Sequence, residues 1–368
     1  MPTSFSNISK FKMMNSTNAP QLIEHIKHDI TFTPNDTKFI PRSARFIACG
    51  VTPSGKGIIG IAELCKGNLD FTHKSISEVG IKCATFGASP IENRNVALGH
   101  YDGELSMLSL EEMKKTWTVK AHDSLINCSD GIGGTIGSGA PEIVTGGRDG
   151  IVKVWDPRVD YPVMNLEPES NASRRDCWTV CFGNSYNDNE RSVAAGYDNG
   201  DVKVFDLRTK REVWTTNAKN GVTGIEFDRR DIEMNKLLVT TLESKFQCYD
   251  MRTMHPQFGY SHLEEKAHRS TVWLGKHMPQ NRDIFATLGG NGGFNIYKYN
   301  YPLNRVEKHN DDGAPIGVMG SIELLNSRVI STQPIVSFDW SPDRAGLAVL
   351  GSLDQSIRVY IVSKVDSL

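Results

Sequence analysis

Two parts of the sequence carry residue types that could do chemistry. The stretch GIGGTIGSGAP at residues 131–141 holds five glycines, the kind of turn in which backbone N–H groups can close on a phosphate. His122, Thr145 and Asp149 have the residue types of a relay in which an imidazole activates a hydroxyl nucleophile. A phosphate site would need a helix after the glycines. The elements around each group therefore decide between catalysis and structure.

Composition indicates an ordinary soluble protein. The chain has 368 residues, a formal net charge of −2, 39% hydrophobic and 23% charged residues. This charge gives no reason to bind nucleic acid or an anionic membrane. No run approaches the roughly 18 apolar residues of a membrane span, and the first twenty residues lack the apolar core of a secretory signal. Seven cysteines without a C-x-x-C pair favour reduced thiols. We expect a cytoplasmic protein.

A four-strand unit recurs along the chain. VTGGRDGIVKVWDPR at 144–158 and AAGYDNGDVKVFDLR at 194–208 share a small residue and glycine, a polar turn, and alternating apolar residues. The aligned turn residues, spaced 44 to 63 residues apart, are Asp102, Asp149, Asn199, Glu243, Asn291 and Asp354. A seventh copy, FIACGVTPSGKGIIGIAEL, lies at 46–64. Each unit also carries an earlier strand.

This period, with Asp/Asn-Gly hairpin turns and a Trp-Asp ending, is the signature of WD40 repeats. The sequence predicts an all-β fold, a seven-bladed WD40 β-propeller. The last unit runs out of chain after its third strand, so we expect the segment 21–32 to supply the missing fourth strand and close the ring. The predicted domains are a disordered N-terminal tail at 1–19, rich in Ser and Asn, and one propeller at 20–368.

The propeller explains both groups without catalysis. The glycine-rich stretch falls between the first and second strands of the third blade, and the strand EIVTGG follows it instead of a helix. The residues His122, Thr145, Asp149 and Trp155 occupy the positions of the structural hydrogen-bonded tetrad of a WD40 blade. His25 and His28, three apart on a strand, face opposite sides and make a poor metal site. We predict no catalytic residue, no cofactor and no metal.

Partner binding is the function that the outward-facing residues favour. The residue after the leading apolar position of each first strand should lie near the channel rim; these are Lys82, Asn127, Trp178, Thr223, Trp273 and Val336. The tight turns on the same face add Tyr101, Arg148, Tyr197 and Asp198. Trp, Tyr and Arg dominate interface hot spots. We predict a protein-binding site formed by Trp178, Trp273, Lys82, Tyr101, Arg148 and Tyr197. The alternative is that both tryptophans pack between blades as core.

Two further features are candidate partner sites. The segment 300–327 interrupts the sixth blade, and its charged middle, RVEKHNDDG, favours disorder. Three blades end in Asp-x-Arg, at Asp156 and Arg158, Asp206 and Arg208, and Asp250 and Arg252. This pattern resembles the W-D-x-R box of propellers that recruit substrates to cullin-type ubiquitin ligases. The alternative is local pairing of each arginine on the lower face.

Several stretches resemble one family more closely than the general repeat. RRDCWTVCFGNSYN, NGVTGIEFDRRDIEMNKL and STQPIVSFDWSPD include loop residues, and they closely resemble the Monad family of WD-repeat dynein axonemal assembly factors. The resemblance runs from about residue 21 to the C-terminus. It implies a non-enzymatic, monomeric cytoplasmic adaptor, working with Hsp90 co-chaperone machinery of R2TP and prefoldin-like type. Its implied clients are axonemal dynein chains, in the dynein-assembly foci of ciliated cells. A substrate receptor of a cullin-type ligase is the alternative function.

Overall fold

The chain folds into a ring of seven four-stranded antiparallel sheets, as its repeats predict. The computed structural model describes residues 19–65, 67–167, 174–307 and 316–365, and thirty strands and no α-helix lie in these ranges. Within these ranges, accordingly, no helix is long and apolar enough to cross a membrane. The predicted tail falls almost wholly outside the described residues, which begin at Ala19.

In every blade the four strands follow one another from the channel outward. Blades 1 and 2 contain β2 (Thr33–Phe39), β3 (Phe46–Val51), β4 (Gly57–Cys65) and β5 (Asn68–Ser77), then β6 (Ile81–Thr85), β7 (Val96–His100), β8 (Glu104–Ser109) and β9 (Lys114–Lys120). Blades 3 and 4 contain β10 (Ile126–Ile132), β11 (Glu142–Gly147), β12 (Val152–Trp155) and β13 (Pro162–Leu166), then β14 (Cys177–Gly183), β15 (Ser192–Tyr197), β16 (Asp201–Asp206) and β17 (Arg211–Asn217). Blades 5 and 6 contain β18 (Val222–Phe227), β19 (Lys236–Thr241), β20 (Lys245–His255) and β21 (Gly259–Lys266), then β22 (Val272–Met278), β23 (Asn281–Gly289), β24 (Gly293–Asn300) and β27 (Ser321–Val329). Blade 7 contains β28 (Ile335–Trp340), β29 (Leu347–Ser352), β30 (Ser356–Ser363) and β1 (Gln21–Asp29).

The N-terminal strand closes the ring, as predicted. β1 runs antiparallel to β30, with Gln21 opposite Ser363 and Asp29 opposite Ser356. The first strands of neighbouring blades contact one another all the way round, from β2 through β28 and back to β2. Closure removes the gap that an open ring would leave between its first and last blades.

The hydrophobic core lies between the blades. Seven clusters of buried apolar side chains fill the seven interfaces, one cluster in each. Blades 3 to 7 place an aromatic residue at the same position of the third strand: Trp155, Phe205, Tyr249, Tyr297 and Tyr360. Blade 2 has Leu108 at this position and blade 1 has Ala62. Leu108 packs in the interface between blades 1 and 2, and Ala62 packs in the interface between blades 7 and 1.

Acidic side chains link the innermost strands across four interfaces. Each carboxylate accepts a backbone N–H from the first strand of the next blade, as in Asp36 to Ala84 (3.0 Å), Asp130 to Phe182 (2.9 Å), Glu226 to His277 (2.6 Å) and Asp339 to Phe39 (2.8 Å). A hydrogen bond to an ionised acceptor is stronger than a neutral one. These bonds fix the spacing of blades around the channel.

The blade 6 insertion is shorter than 300–327, because the residues from Ser321 onward already form strand β27. The insertion carries a short hairpin, β25 (Val306–Glu307) and β26 (Ile316–Gly317), under blade 5. Arg305 donates to Asn235 (2.8 Å) and pairs with Asp250 (3.4 Å). Residues 308–315, most of the stretch expected to be disordered, lie outside the described residues.

Candidate functional site

A β-bulge opens the first strand of every blade on one face of the ring. We name this the upper face; it also carries the tight turns between second and third strands. The bulged residues are Asn35, Lys82, Asn127, Trp178, Thr223, Trp273 and Val336. A bulge adds one unpaired residue and re-aims its side chain. Six of these are the rim positions predicted from sequence.

Three of the bulged residues are used to join blades. Their polar side chains donate to the leading carbonyl of the next first strand: Asn35 to Ile81 (2.7 Å), Asn127 to Cys177 (3.0 Å) and Thr223 to Val272. Blades 1, 3 and 5 are thereby tied to blades 2, 4 and 6. The other four positions hold Lys82, Trp178, Trp273 and Val336, each half-buried on the rim.

Trp178 lies across the junction of blades 4 and 5. Its indole lies near the Asp176 carboxylate and lowers the pKa of that group. A Cβ added to Gly221 would lie 2.8 Å from Cζ3 of Trp178 and 3.0 Å from Cδ1 of Leu242, so the two side chains meet over this glycine. Leu242 is 37% exposed. Trp178 is outside the buried core clusters of the described residues and is only partly buried, so part of the indole is exposed to solvent.

Trp273 occupies the equivalent place in blade 6 and holds an unused donor. Among the described residues, neither its Nε1 nor the Ser270 Oγ has a hydrogen-bond partner, although both atoms are buried. Both lie near the position that a Cβ on Gly290 would take, at 3.3 and 3.2 Å. An unsatisfied polar group is costly to bury, but neither of these two atoms is accessible to a partner in this arrangement.

The tight turns add further side chains to the upper face. Tyr101 and Arg148 are exposed there as predicted, and Leu242 and Leu353 share their position, directly after the second strand. These two leucines were not among the predicted rim residues, although the repeat alignment places them with Tyr101. Leu353 is 42% exposed, so blades 5 and 7, the neighbours of blade 6, each carry an exposed leucine on this face.

Tyr197 corrects one of the expected rim positions. It is only 6% exposed and packs in the cluster between blades 3 and 4. Tyr197 is the last residue of its strand and corresponds to Gly147 in blade 3, one position before Arg148. A Cβ on Gly147 would lie 2.3 Å from Nδ1 of His122, so side chains at this position point between the blades.

The electrostatics of the rim centre on Asp176. Burial and the neighbouring Asp198 carboxylate raise the pKa of Asp176, while Arg148, 3.7 Å away, and the indole of Trp178 oppose the rise. Arg148 is well exposed, with 65% of its side-chain surface open to solvent. This exposed cation therefore lies next to the aromatic surface of blade 4.

The His–Thr–Asp group is a buried structural network. Nδ1 of His122 lies 2.9 Å from Asp149, Nε2 lies 2.8 Å from Oγ1 of Thr145, and the Trp155 indole donates to the same hydroxyl at 3.0 Å. Burial alone would raise the pKa of Asp149, but the hydrogen bond to His122 holds it below its usual value. Thr145, His122 and Trp155 are almost fully buried, so the hydroxyl cannot reach a substrate.

Comparison with known proteins agrees with this architecture. A family model described as the β-propeller of the "Nucleolar protein 10-like, N-terminal domain" matches residues 93–241. Three relatives bear the name dynein axonemal assembly factor 10. The Homo sapiens relative is 50% identical over 96% of this chain and 100% of its own length. The Xenopus laevis relative is 51% identical over 95% and 98%, and that of Chlamydomonas reinhardtii 45% identical over 96% and 100%.

The chain belongs to the dynein axonemal assembly factor 10 family. The similarity covers all seven blades, and the resemblance drawn from the loop residues is therefore confirmed. In this family member the Asp-x-Arg boxes lie on the lower face. In each, the aspartate accepts the arginine's backbone N–H, at 2.9 Å for Arg158, 2.8 Å for Arg208 and 3.0 Å for Arg252.

The three arginine side chains of this assembly-factor homologue differ from one another. Arg158 pairs with its own Asp156 through Nε and Nη2, at 2.9 and 2.5 Å. Arg208 lies 3.7 Å from Asp206. Arg252 instead pairs with Glu233 at 3.4 Å, and Arg305 of the insertion lies 3.4 Å from the Asp250 carboxylate. The boxes therefore do not present one repeated docking geometry.

The glycine-rich loop of this family member joins neighbouring blades. Gly134 N–H donates to the carbonyl of Gly87 in blade 2 at 2.9 Å, and Ser138 N–H donates to Ser185 in blade 4 at 3.0 Å. N–H groups that a phosphate would need are thus already bound to protein, and a strand follows the loop. The loop therefore has a structural role, because it holds blade 3 to blades 2 and 4.

Proposed function

We propose that this chain is a non-enzymatic adaptor whose upper rim binds protein partners during assembly of axonemal dynein arms. The observation that carries the proposal is the surface formed by Trp178, Leu242 and Trp273 on three successive blades. It combines aromatic area, the exposed apolar side chain of Leu242 and a neighbouring exposed cation at Arg148. Such a combination is typical of interface hot spots.

Two further points support an assembly role. Relatives that align with nearly the whole chain are named dynein axonemal assembly factor 10. The network with the residue types of a catalytic relay is buried, and its side chains hydrogen-bond to one another. This favours a structural role for the network and a scaffold function for the chain. The resemblance to the family adds the finer proposal: the adaptor works in the cytoplasm with an Hsp90 co-chaperone complex of R2TP and prefoldin-like type, and axonemal dynein chains are its clients.

The test compares two rim variants with a matched tryptophan elsewhere. Trp178→Ala and Trp273→Ala should each lower recovery of co-chaperone subunits and dynein heavy chains from ciliated-cell cytosol. A loss of about 2 kcal/mol of binding free energy corresponds to an affinity about 30-fold lower. Trp117→Ala is the control, because Trp117 is also half-buried but lies on the outermost strand of blade 2. Unchanged recovery by both rim variants, with normal melting temperatures, would refute the rim as the partner site.

The cullin-ligase alternative rests on the exposure of two arginines. Arg158 and Arg208 expose 64% and 67% of their side-chain surface on the lower face, although both pair with their own aspartates. Arg158→Ala and Arg208→Ala should leave co-chaperone recovery unchanged if the upper rim is used. Loss of a cullin adaptor from either variant would instead favour the substrate-receptor function.

A further inference from the structure

The sequence has three Asn-Gly dipeptides, and all three lie on the upper face. Two are in tight turns, at 199–200 in blade 4 and at 291–292 in blade 6, and the third, at 220–221, connects blade 4 to blade 5. An asparagine before glycine is prone to lose its side-chain amide, because the glycine nitrogen meets little steric hindrance as it approaches the asparagine Cγ. The reaction needs a free asparagine side chain and a free glycine N–H.

The tight turn of blade 4 holds both reacting groups in hydrogen bonds. The side chain of Asn199 accepts the N–H of Asp201 at 3.1 Å and donates to the Asp201 carboxylate at 2.7 Å. The N–H of Gly200 donates to the carbonyl of Tyr197 at 3.1 Å. The turn must open before the nitrogen of Gly200 can attack, so the fold slows deamidation here.

The tight turn of blade 6 is closed in the same way. Oδ1 of Asn291 accepts the N–H of Gly293 at 3.3 Å. The N–H of Gly292 donates to the carbonyl of Gly289 at 3.1 Å. This dipeptide is therefore also protected by hydrogen bonds of the folded turn.

The connection at 220–221 leaves both reacting groups free. Asn220 is half-buried, and within the described ranges its side chain makes no hydrogen bond. The N–H of Gly221 also has no partner in the part of the chain that the structure describes, and only its carbonyl is used, by the N–H of Leu242 at 3.0 Å. Attack by this nitrogen therefore breaks no hydrogen bond of either group.

We propose that Asn220 is the site at which the folded chain deamidates. The nitrogen of Gly221 bonds to Cγ of Asn220, the bond from Cγ to the amide nitrogen breaks, and the amide leaves as ammonia with the proton from Gly221. Water then opens the resulting succinimide at either carbonyl. The products are aspartate, and isoaspartate in which the main chain runs through the former side chain.

The modified dipeptide lies directly beneath the rim, so its effect on partner binding rests on the proposed function. A Cβ on Gly221 would lie 2.8 Å from Cζ3 of Trp178 and 3.0 Å from Cδ1 of Leu242. Isoaspartate lengthens the main chain at this contact, and both products replace a neutral amide by a carboxylate. A new charge beside an apolar contact surface disrupts binding. Deamidation therefore weakens the rim site.

The experiment incubates the full chain at mildly alkaline pH and follows the three dipeptides by peptide mapping with mass spectrometry. In the folded chain, deamidation at 220–221 should be at least about tenfold faster than at 199–200 or 291–292. In urea, which opens the turns, the three rates should agree within about threefold. Equal rates in the folded chain, or a faster reaction at either tight turn, would overturn the proposal. Absence of product at 220–221 in the folded chain would also overturn it.

A matched variant separates the modification from its effect on the rim. Asn220→Gln must close a larger ring, so it should stay unmodified, and its melting temperature should be normal because Asn220 makes no hydrogen bond through its side chain to the described residues. After incubation the unmodified chain should recover less co-chaperone than Asn220→Gln treated in the same way. Equal recovery by the two chains would overturn the effect on the rim, while the mass mapping decides the modification without any partner.

Discussion

Replacing Glu226 by Gln should remove a large, pH-dependent contribution to stability. Glu226 is 8% exposed and accepts the backbone N–H of His277 at 2.6 Å, joining blade 5 to blade 6 at the channel. Its carboxylate also pairs with Lys276 at 3.0 Å. The amide of Glu226→Gln retains an acceptor for the N–H of His277 but cannot neutralise Lys276. The substitution therefore isolates the charge of the side chain from its shape.

The magnitude follows from the pKa of Glu226. Burial alone would raise this pKa, but Lys276 and the hydrogen bond to His277 lower it from 4.5 to about 2. One pKa unit corresponds to about 1.4 kcal/mol, so the ionised carboxylate contributes about 3 kcal/mol at pH 7. Because the folded pKa is depressed, this stability is present above pH ~4.5 and is lost as the pH falls towards ~2.

The assay is urea unfolding of the unmodified chain and Glu226→Gln at several pH values. The difference in unfolding free energy should be about 3 kcal/mol at pH 7 and about 1.4 kcal/mol at pH 3. Other carboxylates titrate in both proteins, so their contributions cancel in the difference. A difference that does not change between pH 7 and pH 3, or a Gln variant more stable at pH 7, would refute this reasoning.

Two further substitutions test the same physical picture. Burial raises the pKa of Asp339 from 3.8 to about 6, although Lys38 opposes the rise. The folded chain therefore loses stability as the pH rises from about 4 through about 6, because the buried carboxyl must ionise. Asp339→Asn should therefore be more stable than the unmodified chain at pH 7, by at most about 3 kcal/mol, with no gain at pH 3.5 in the same urea assay. Trp155→Phe removes the donor to Thr145 but keeps a ring, so melting should report a loss of about 1 kcal/mol, against about 3–5 for Trp155→Ala. Equal losses for the two Trp155 variants would contradict the role given to packing of the ring, and no loss for Trp155→Phe would contradict the role given to the hydrogen bond.

The ring could be predicted from the sequence because its signals are local. Each blade needs an Asp/Asn-Gly type of turn between strands of alternating polarity, and these short-range patterns recur at a regular interval. The segment EIVTGG is strand β11 at Glu142–Gly147. The closing strand was also predictable, because the last unit has three strands and the alternating segment at 21–32 had no other partner.

The errors in the candidate site come from side-chain direction and from facing surfaces. Tyr197 lies beside the turn, but the residue that ends the second strand points between blades, so a shift of one position reverses its exposure. A cavity between blades 1 and 2 likewise depends on Leu108 and on what blade 1 places opposite it. A small residue at one position predicts a cavity only when the facing blade is also known to leave the space open.

The pairing of β1 with β30 has a consequence for the newly made chain. Glu24 contacts Arg358, which lies 334 residues later in the sequence. At a synthesis rate of roughly 5–20 residues per second, strand β1 therefore waits roughly 20–70 s for its partner to leave the ribosome. During that time a nine-residue strand carries unpaired backbone groups, and the nascent ring stays open until strand β30 has emerged.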